Sequence, residues 1–337
     1  MSNTYHASAL YIKIASQFAV MNNVDLAELH QGLPLPPDGQ IQDNKKLPLT
    51  EILNFWDKAK TLSSDRAFGL HAGQNCHLTH YGIFAHVLMN CTNVYQALSL
   101  TSQYGYLMNE AVESTLNTEK ELTNYSYEFL YQHKAASQLI EFHFASMVQM
   151  GKQIVSRKDS KRVHPIRVEF CHAPLAPIEE YKRVFECDVV FDQTENRMIS
   201  QHKALLTPTN APNKGLYHHL LKEVEAIFQA NLNQKCHSRK VSDYLNSEKE
   251  WVQWPTLEET ADALGTSPST LKRKLKQEDC SYQEICDRIR YRRARHLLRS
   301  QKYTVSEVAY VMGFSCAASF GRTFKRWSGM PPSDFMR

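Results

Sequence analysis

Hydrophobic residues along this chain repeat mostly with a helical period and, in a few stretches, with a strand period. Residues 5–22 place Leu10, Ile14 and Phe18 on one helical face, and residues 33–39 (Leu33-Pro34-Leu35-Pro36-Pro37-Asp38-Gly39) form a breaker cluster, hence a loop. Residues 49–62 predict a helix capped by Thr50, with Ile52, Leu53, Phe55, Trp56 and Ala59 turned inward. Residues 68–73 and 81–84 are glycine-punctuated apolar pieces, and residues 93–107 predict a helix with Val94, Ala97, Leu98, Thr101 and Tyr104 on one side. The period then changes. Across residues 110–131, Thr123, Tyr125, Tyr127, Phe129 and Tyr131 alternate with polar or small neighbours, which predicts a strand. A helix over 135–155, a strand over 166–170, a helix over 178–185 and strands at 189–191 and 197–200 complete a mixed α/β (α+β) domain. Beyond it, Leu216, Tyr217, Leu220, Leu221, Val224, Ile227 and Phe228 make an apolar helical stripe. Its spacing suits packing within the same domain or a short coiled-coil contact between two chains.

The final third carries one pattern twice. Residues 256–265 and 304–313 each begin with Thr, place Glu three residues later and end in Gly. Leu257, Thr260, Ala261 and Leu264 in the first copy, and Val305, Val308, Ala309 and Met312 in the second, fall at i, i+3, i+4 and i+7. The Thr/Glu pairs (Thr256/Glu259, Thr304/Glu307) predict reciprocal capping, and Gly265 and Gly313 predict left-handed helix stops. A second helix follows each Gly. Ser267 and Pro268 open the first, which turns Leu271 and Leu275 inward and Ser269, Lys272, Arg273 and Lys276 outward. The second buries Phe320, Phe324 and Trp327 and turns out Arg322, Lys325 and Arg326. A helix held by its apolar back and presenting Arg and Lys suits the major groove of DNA.

Between the copies, residues 281–299 open with a third capping box (Ser281/Glu284) and carry six arginines beside an apolar stripe of Tyr282, Ile285, Ile289, Ala294, Leu297 and Leu298. Nineteen residues at about 1.5 Å each give a rod of about 28 Å, long enough to set two reading helices about one DNA turn apart. Its arginines fit a solvated face, phosphate contacts or salt bridges to the rest of the module.

This pattern resembles the AraC/XylS family of bacterial transcription regulators over residues 236–337. Ala261, Leu264, Ser267, Leu271, Arg273, Arg290, Ala294 and Leu297-Leu298 carry the likeness in the first half. Ala309, Gly313-Phe314, Ser319-Phe320, Arg322, Phe324-Lys325-Arg326-Trp327, Gly329, Pro331 and Phe335 carry it in the second. The resemblance implies base readout by Ser269, Lys272 and Arg273 on the first helix and by Ala317, Ala318 and Arg322 on the second. Cys316, Ala317 and Ala318 depart from the polar groups common there, although an Ala methyl can still pack on a thymine methyl. Lys276, Lys325 and Arg326 are expected on phosphate. A second likeness, to the "arabinose-binding" effector domain of one branch of that family, rests on Phe170-Cys171-His172-Ala173-Pro174, Tyr181, Phe185, Cys187, Phe191, Asn196 and residues 205–208, with Phe68-Gly69-Leu70 and residues 81–98. It implies a sensory or dimerising module without making arabinose the ligand.

Composition agrees. Residues 251–337 hold fifteen Lys and Arg against nine Asp and Glu, a net +6, whereas the remaining 250 residues are net −2, so the basic end is the nucleic-acid end. No signal peptide opens the chain and no apolar run approaches membrane length, which predicts a cytoplasmic protein without a membrane partner. The eight cysteines form no C-x-x-C pair, so free thiols are expected, with Cys286 and Cys316 weighed as oxidation sensors against incidental thiols. His71, Cys76, His77 and His80 crowd one region without a zinc spacing, and no metal is expected. There is no P-loop, G-x-G-x-x-G, G-x-S-x-G or Pro-Cys, so no catalytic residue, cofactor or enzyme activity is expected.

These readings predict residues 1–210 as an effector-sensing or dimerisation domain, 211–235 as an interdomain helix and linker, and 236–337 as an all-α DNA-binding domain with helix–turn–helix motifs at 256–277 and 304–327. The expected function is sequence-specific regulation of transcription, as an activator, with promoter double-stranded DNA as partner. RNA polymerase is implied by the family, and a small-molecule effector and a homodimer are further expected partners. Tyr81, Phe84, Tyr104 and Tyr106 are candidates to line the effector pocket. An effector-independent architectural DNA binder is the alternative.

Overall fold

The structure, a computed structural model, describes residues 5–32, 45–131, 133–210, 212–233, 237–247, 254–278, 280–299, 303–328 and 330–336. The loop expected at 33–39, Cys236, Gly329 and residues 248–253 lie outside the described residues. The chain divides into two compact units, Tyr5–Asn231 and one containing Leu232–Arg337.

The first unit runs β1 (His6–Ser8), α1 (Leu10–Met21), α2 (Leu26–His30), β2 (Lys46–Pro48), α3 (Leu49–Leu62), α4 (Phe68–Gln74), a 3-10 turn (Leu78–Tyr81), α5 (Gly82–Met89), α6 (Val94–Tyr104), β3 (Val112–Glu119), β4 (Leu122–Phe129), α7 (Ala136–Ile154), β5 (Arg167–Glu169), α8 (Ile178–Phe185), β6 (Asp188–Val190), β7 (Asn196–Gln201), α9 (His202–Leu205) and α10 (Lys214–Asn233). Its main sheet has the order β3-β4-β7-β5-β6, antiparallel except for the β5–β6 pair. On β4, Thr123, Tyr125 and Tyr127 are buried along one face, as their alternation predicted.

Several expectations are corrected. Residues 6–8 are not helical but pair with β2 as a small antiparallel ladder, so the first helix starts at Leu10. Thr50 does not cap α3; Pro48 precedes the helix without a side-chain cap, and the Thr50 hydroxyl faces the Tyr131 hydroxyl at 3.4 Å. Residues 110–131 are a hairpin rather than one strand, folding back at Lys120, whose φ is +54°. No glycine or asparagine marks that turn, so period alone ran the two strands together.

Residues 68–73 form α4, a helix that propensity disfavours and packing restores. A Cβ on Gly69 would land on the Gln138 carbonyl of α7, and one on Gly73 would meet the Phe142 carbonyl at 2.6 Å. The two glycines therefore let α4 lie directly on the α7 backbone, and the Gly69 N–H donates to Gln138 Oε1 at 2.6 Å.

The residues behind the effector-domain resemblance cluster around β5, β6 and α8. Phe170 stacks on Phe191 at 5.4 Å, and Tyr181 meets Phe191 edge-on at 4.7 Å. Asn196 ties the strands together by accepting from the Cys171 N–H at 2.9 Å and donating to the Tyr127 carbonyl at 3.3 Å. Beside them sits Glu141 of α7, fully buried, accepting from the Tyr181 hydroxyl at 2.7 Å. Burial holds its carboxyl up to about 8 despite that bond. His172, 3.8 Å away, is itself held low by burial, so the two meet as neutral groups rather than as an ion pair. On α10, Val224 is buried and Tyr217, Leu220 and Leu221 pack against this unit's core, while Leu216 and Ile227 are exposed.

The second unit is helical throughout its described residues: α11 (His237–Ser247), α12 (Leu257–Ala263), α13 (Pro268–Gln277), α14 (Tyr282–Arg299), α15 (Val305–Val311), α16 (Ala317–Ser328) and α17 (Pro332–Phe335). One core joins them, running from Val241 and Leu245 through Ala261, Leu271, Leu275, Ile285, Ile289 and Leu298 to Val308, Phe320 and Phe324. Among the described residues, no helix is long and apolar enough to cross a membrane.

Candidate nucleic-acid interface and an aromatic cavity

The two repeated motifs share the same reciprocal cap. In the first, Thr256 Oγ1 accepts from the Glu259 N–H at 3.2 Å while the Thr256 N–H donates to Glu259 Oε2 at 2.7 Å. In the second, Thr304 and Glu307 repeat those distances, 3.2 and 2.7 Å. Each helix stops on a left-handed Gly, with φ +64° at Gly265 and +74° at Gly313. The residue after each Gly closes the turn, Thr266 N–H to the Ala261 carbonyl and Phe314 N–H to the Ala309 carbonyl, both at 2.9 Å. The third capping box is present at Ser281/Glu284 as well.

These stops aim the helices that follow. α13 is opened by Ser267, whose hydroxyl accepts from the Thr270 N–H at 3.2 Å, with Pro268 at the first position. Leu271 and Leu275 are buried, and Ser269, Lys272, Arg273 and Lys276 are exposed on the other side. α16 buries Phe320 and Phe324 and exposes Ala318, Arg322, Lys325 and Arg326. Ala317 is half-buried and packs against the core. Arg326 is shared with α14, its guanidinium 3.0 Å from Asp287.

The rod α14 differs from expectation in how its arginines are used. Arg290 and Arg293 lie over the Trp254 ring at 4.8 and 5.0 Å, and Arg293 also donates to the Leu245 carbonyl at 3.1 Å. Arg295 lies over Tyr291 and Phe335. Through these four cation–π contacts the three arginines help hold the module together. Trp254 escaped the sequence reading because it lies at the junction before Pro255, outside the two repeated motifs.

The first unit contains a small enclosed cavity of about 30 Å³ between α1, α5, α6, α7 and the β3–β4 hairpin. Of the four pocket candidates, Tyr81 and Phe84 line it, whereas Tyr104 and Tyr106 are not among its walls. The Tyr104 hydroxyl turns instead to Glu225 of α10 at 3.4 Å. The walls that sequence reasoning missed are Tyr11, Asn109, Tyr125, Tyr127 and His143. For the two β4 tyrosines the signal was present, since their alternation places both on one face. Tyr125 donates to or accepts from His143 Nε2 at 2.9 Å, and Tyr127 stacks on the same imidazole at 4.0 Å. Desolvation inside the domain lowers the His143 imidazole to about 3 and raises the Tyr11, Tyr81, Tyr125 and Tyr127 hydroxyls.

The His71–His80 region does not converge. His71 bonds Asp65 at 2.7 Å, while the Cys76 thiol faces His80 and Tyr81 and is raised by burial to about 12. Cys286 is buried and also raised; Cys316 is exposed at the mouth of α16.

Comparison with known proteins adds an independent line. Residues 24–209 match the family described as the arabinose-binding domain of AraC transcription regulator, N-terminal, and residues 260–337 match a helix-turn-helix domain. The chain is 24% identical over 295 residues to the ornithine utilization regulator of Pseudomonas aeruginosa, covering 87% of this chain and 85% of that one. It is 37% identical over 79 residues to the urease operon transcriptional activator of Escherichia coli, 23% of this chain and 27% of the other. The crystal structure of the transcriptional regulator CdpR from Pseudomonas aeruginosa is similar at a TM-score of 0.49 and 16% identity, covering 97% and 98% of the two chains. With a family match spanning more than half of its length, this chain belongs to the AraC family of transcription regulators.

Proposed function

We propose that this protein binds a promoter site in double-stranded DNA sequence-specifically through α13 and α16 and acts as an activator under control of a small-molecule effector sensed by the first unit. The observation that carries the reading is the pair of helices, each fastened by a buried apolar back and each presenting exposed Lys and Arg, joined through one core by α14. Lys272, Arg273 and Arg322 are the side chains to read base edges, each worth about 1–3 kcal/mol of discrimination if bidentate. Lys276 and Lys325 neutralise phosphate. Arg326 does so less, because Asp287 already holds it. The similarity to the urease operon transcriptional activator supports the sign of regulation, and contact with RNA polymerase follows from that sign.

The test is a titration of full-length protein with DNA from beside its own gene and with a scrambled duplex, at two salt concentrations. Preference for the native DNA by about a hundredfold or more, with a strong salt dependence, is expected of a specific regulator. Equal binding to both duplexes, unchanged by added metabolite pools, would favour an effector-independent architectural binder instead.

A further inference from the structure

The aromatic cavity has a distinctive chemistry. None of its lining residues is Asp, Glu, Lys or Arg. A charged molecule entering it would lose its hydration and meet no counter-charge, a penalty of several kcal/mol. Yet the walls are not purely apolar. Asn109 is 1% exposed, and its Nδ2, beside the Tyr11 hydroxyl, makes no well-formed hydrogen bond. Tyr127, only 3% exposed, lines the same cavity. Buried polar groups without partners are rare, and each needs an explanation such as a ligand or water. Asn109 Nδ2 is one such group, and it lies on this cavity.

One wall of the cavity is less deeply buried than the others. Tyr81 and Phe84 are half-buried where Tyr11, Tyr125 and Tyr127 are buried, and they flank Gly82. Gly82 takes φ +54° and ψ −132°, a conformation open essentially to glycine alone. A ring-sized guest needs more than the present 30 Å³, so its binding requires the Tyr81–Phe84 wall to shift.

We propose that this cavity is the effector site and that it selects a small uncharged molecule bearing a hydrogen-bond acceptor, held between the aromatic walls by Asn109 and the Tyr127 hydroxyl. The proposal rests on the sensing role stated above and narrows it to one place and one chemical class.

Three ring probes of similar size test it on the full-length protein by thermal unfolding: phenol, toluene and benzoate. Phenol at about 10 mM should raise Tm by a few degrees, toluene less, and benzoate not at all. Tyr127→Phe should weaken phenol about three- to tenfold while leaving toluene unchanged, and Ser114→Leu, which fills the cavity from β3, should abolish both. Tyr127→Phe removes one hydroxyl only, so the test stands even if Ser114→Leu fails to fold. Protection by benzoate equal to that by phenol, no protection by phenol, or no effect of Tyr127→Phe would each overturn the proposal. DNA titration with and without phenol separates the sensing role. Cavity binding that leaves DNA affinity unchanged refutes control from this site, while a response to metabolite pools that survives Tyr127→Phe places the sensor elsewhere.

Discussion

Replacing Glu141 by Gln isolates a single buried proton. In the native protein the carboxyl is fully enclosed, accepts one hydrogen bond from Tyr181, and has no partner at Oε2. Its proton is therefore retained until about pH 8, against 4.5 for a solvated glutamate. A carboxyl raised on folding imposes no penalty below its unfolded value, because both states then hold the proton. Between 4.5 and 8 the unfolded chain releases that proton and the native protein cannot, so stability falls as pH rises. Linkage at about 1.4 kcal/mol per pH unit gives a loss of about 3–4 kcal/mol between pH 5 and pH 8 from this group alone. Glutamine keeps an oxygen for Tyr181 and carries no titrating proton. The variant should match the wild type within about 1 kcal/mol at pH 5 and exceed it by about 3 kcal/mol at pH 8. Urea unfolding of the full-length protein at the two pH values measures this, read on the transition reported by Trp56, the one tryptophan in residues 5–231. Other titrating groups contribute equally to both proteins and cancel in the difference. Parallel loss of stability in wild type and variant would show that Glu141 is ionised in the native state and that the account of its burial is wrong.

Glycine substitutions should act with opposite sign in and beside α7. Gly69→Ala puts a methyl on the Gln138 backbone and is expected to destabilise by about 3 kcal/mol, whereas Gly151→Ala, with nothing within 4 Å, should be neutral or stabilising by up to about 1 kcal/mol in the same unfolding assay. Thr256→Ala and Thr304→Ala each remove one reciprocal cap and should lower the stability of the second unit by about 1 kcal/mol. Lys276→Ala should reduce the slope of log affinity against log salt by about one and weaken native and scrambled duplexes alike; a changed base preference would reassign Lys276 to readout. Trp254→Ala leaves the guanidiniums of Arg290 and Arg293 without the ring beneath them and should destabilise the second unit by about 3 kcal/mol, seen as a lower unfolding midpoint.

The DNA-binding half was legible almost to the hydrogen bond because its rules are local. A Thr with Glu three residues later, or a Gly after an apolar helical face, specifies geometry within one turn, and Thr256, Gly265, Thr304 and Gly313 all follow suit. The first unit depends on partners far away in sequence. Gly69 and Gly73 mark a helix only because α7 lies against them, and Lys120 turns a hairpin that period alone could not see. The cavity is of the same kind: Tyr11, Asn109, Tyr127 and His143 are separated by up to 132 residues and share nothing but the space they enclose.

The two motifs agree in scaffold and disagree in what they display. Among the proposed base readers, Lys272 and Arg273 stand on one helix, and Arg322, with alanines at the helix start, stands on the other. A symmetric dimer meets palindromic DNA and reads it identically from either end. Two unlike readers on a single rod break that equivalence within one chain. Under the proposed function the address has a head and a tail, and inverting the site would turn the whole protein around relative to the start of transcription. Polarity on the promoter is thus written into the divergence of the two copies, before any second chain is involved.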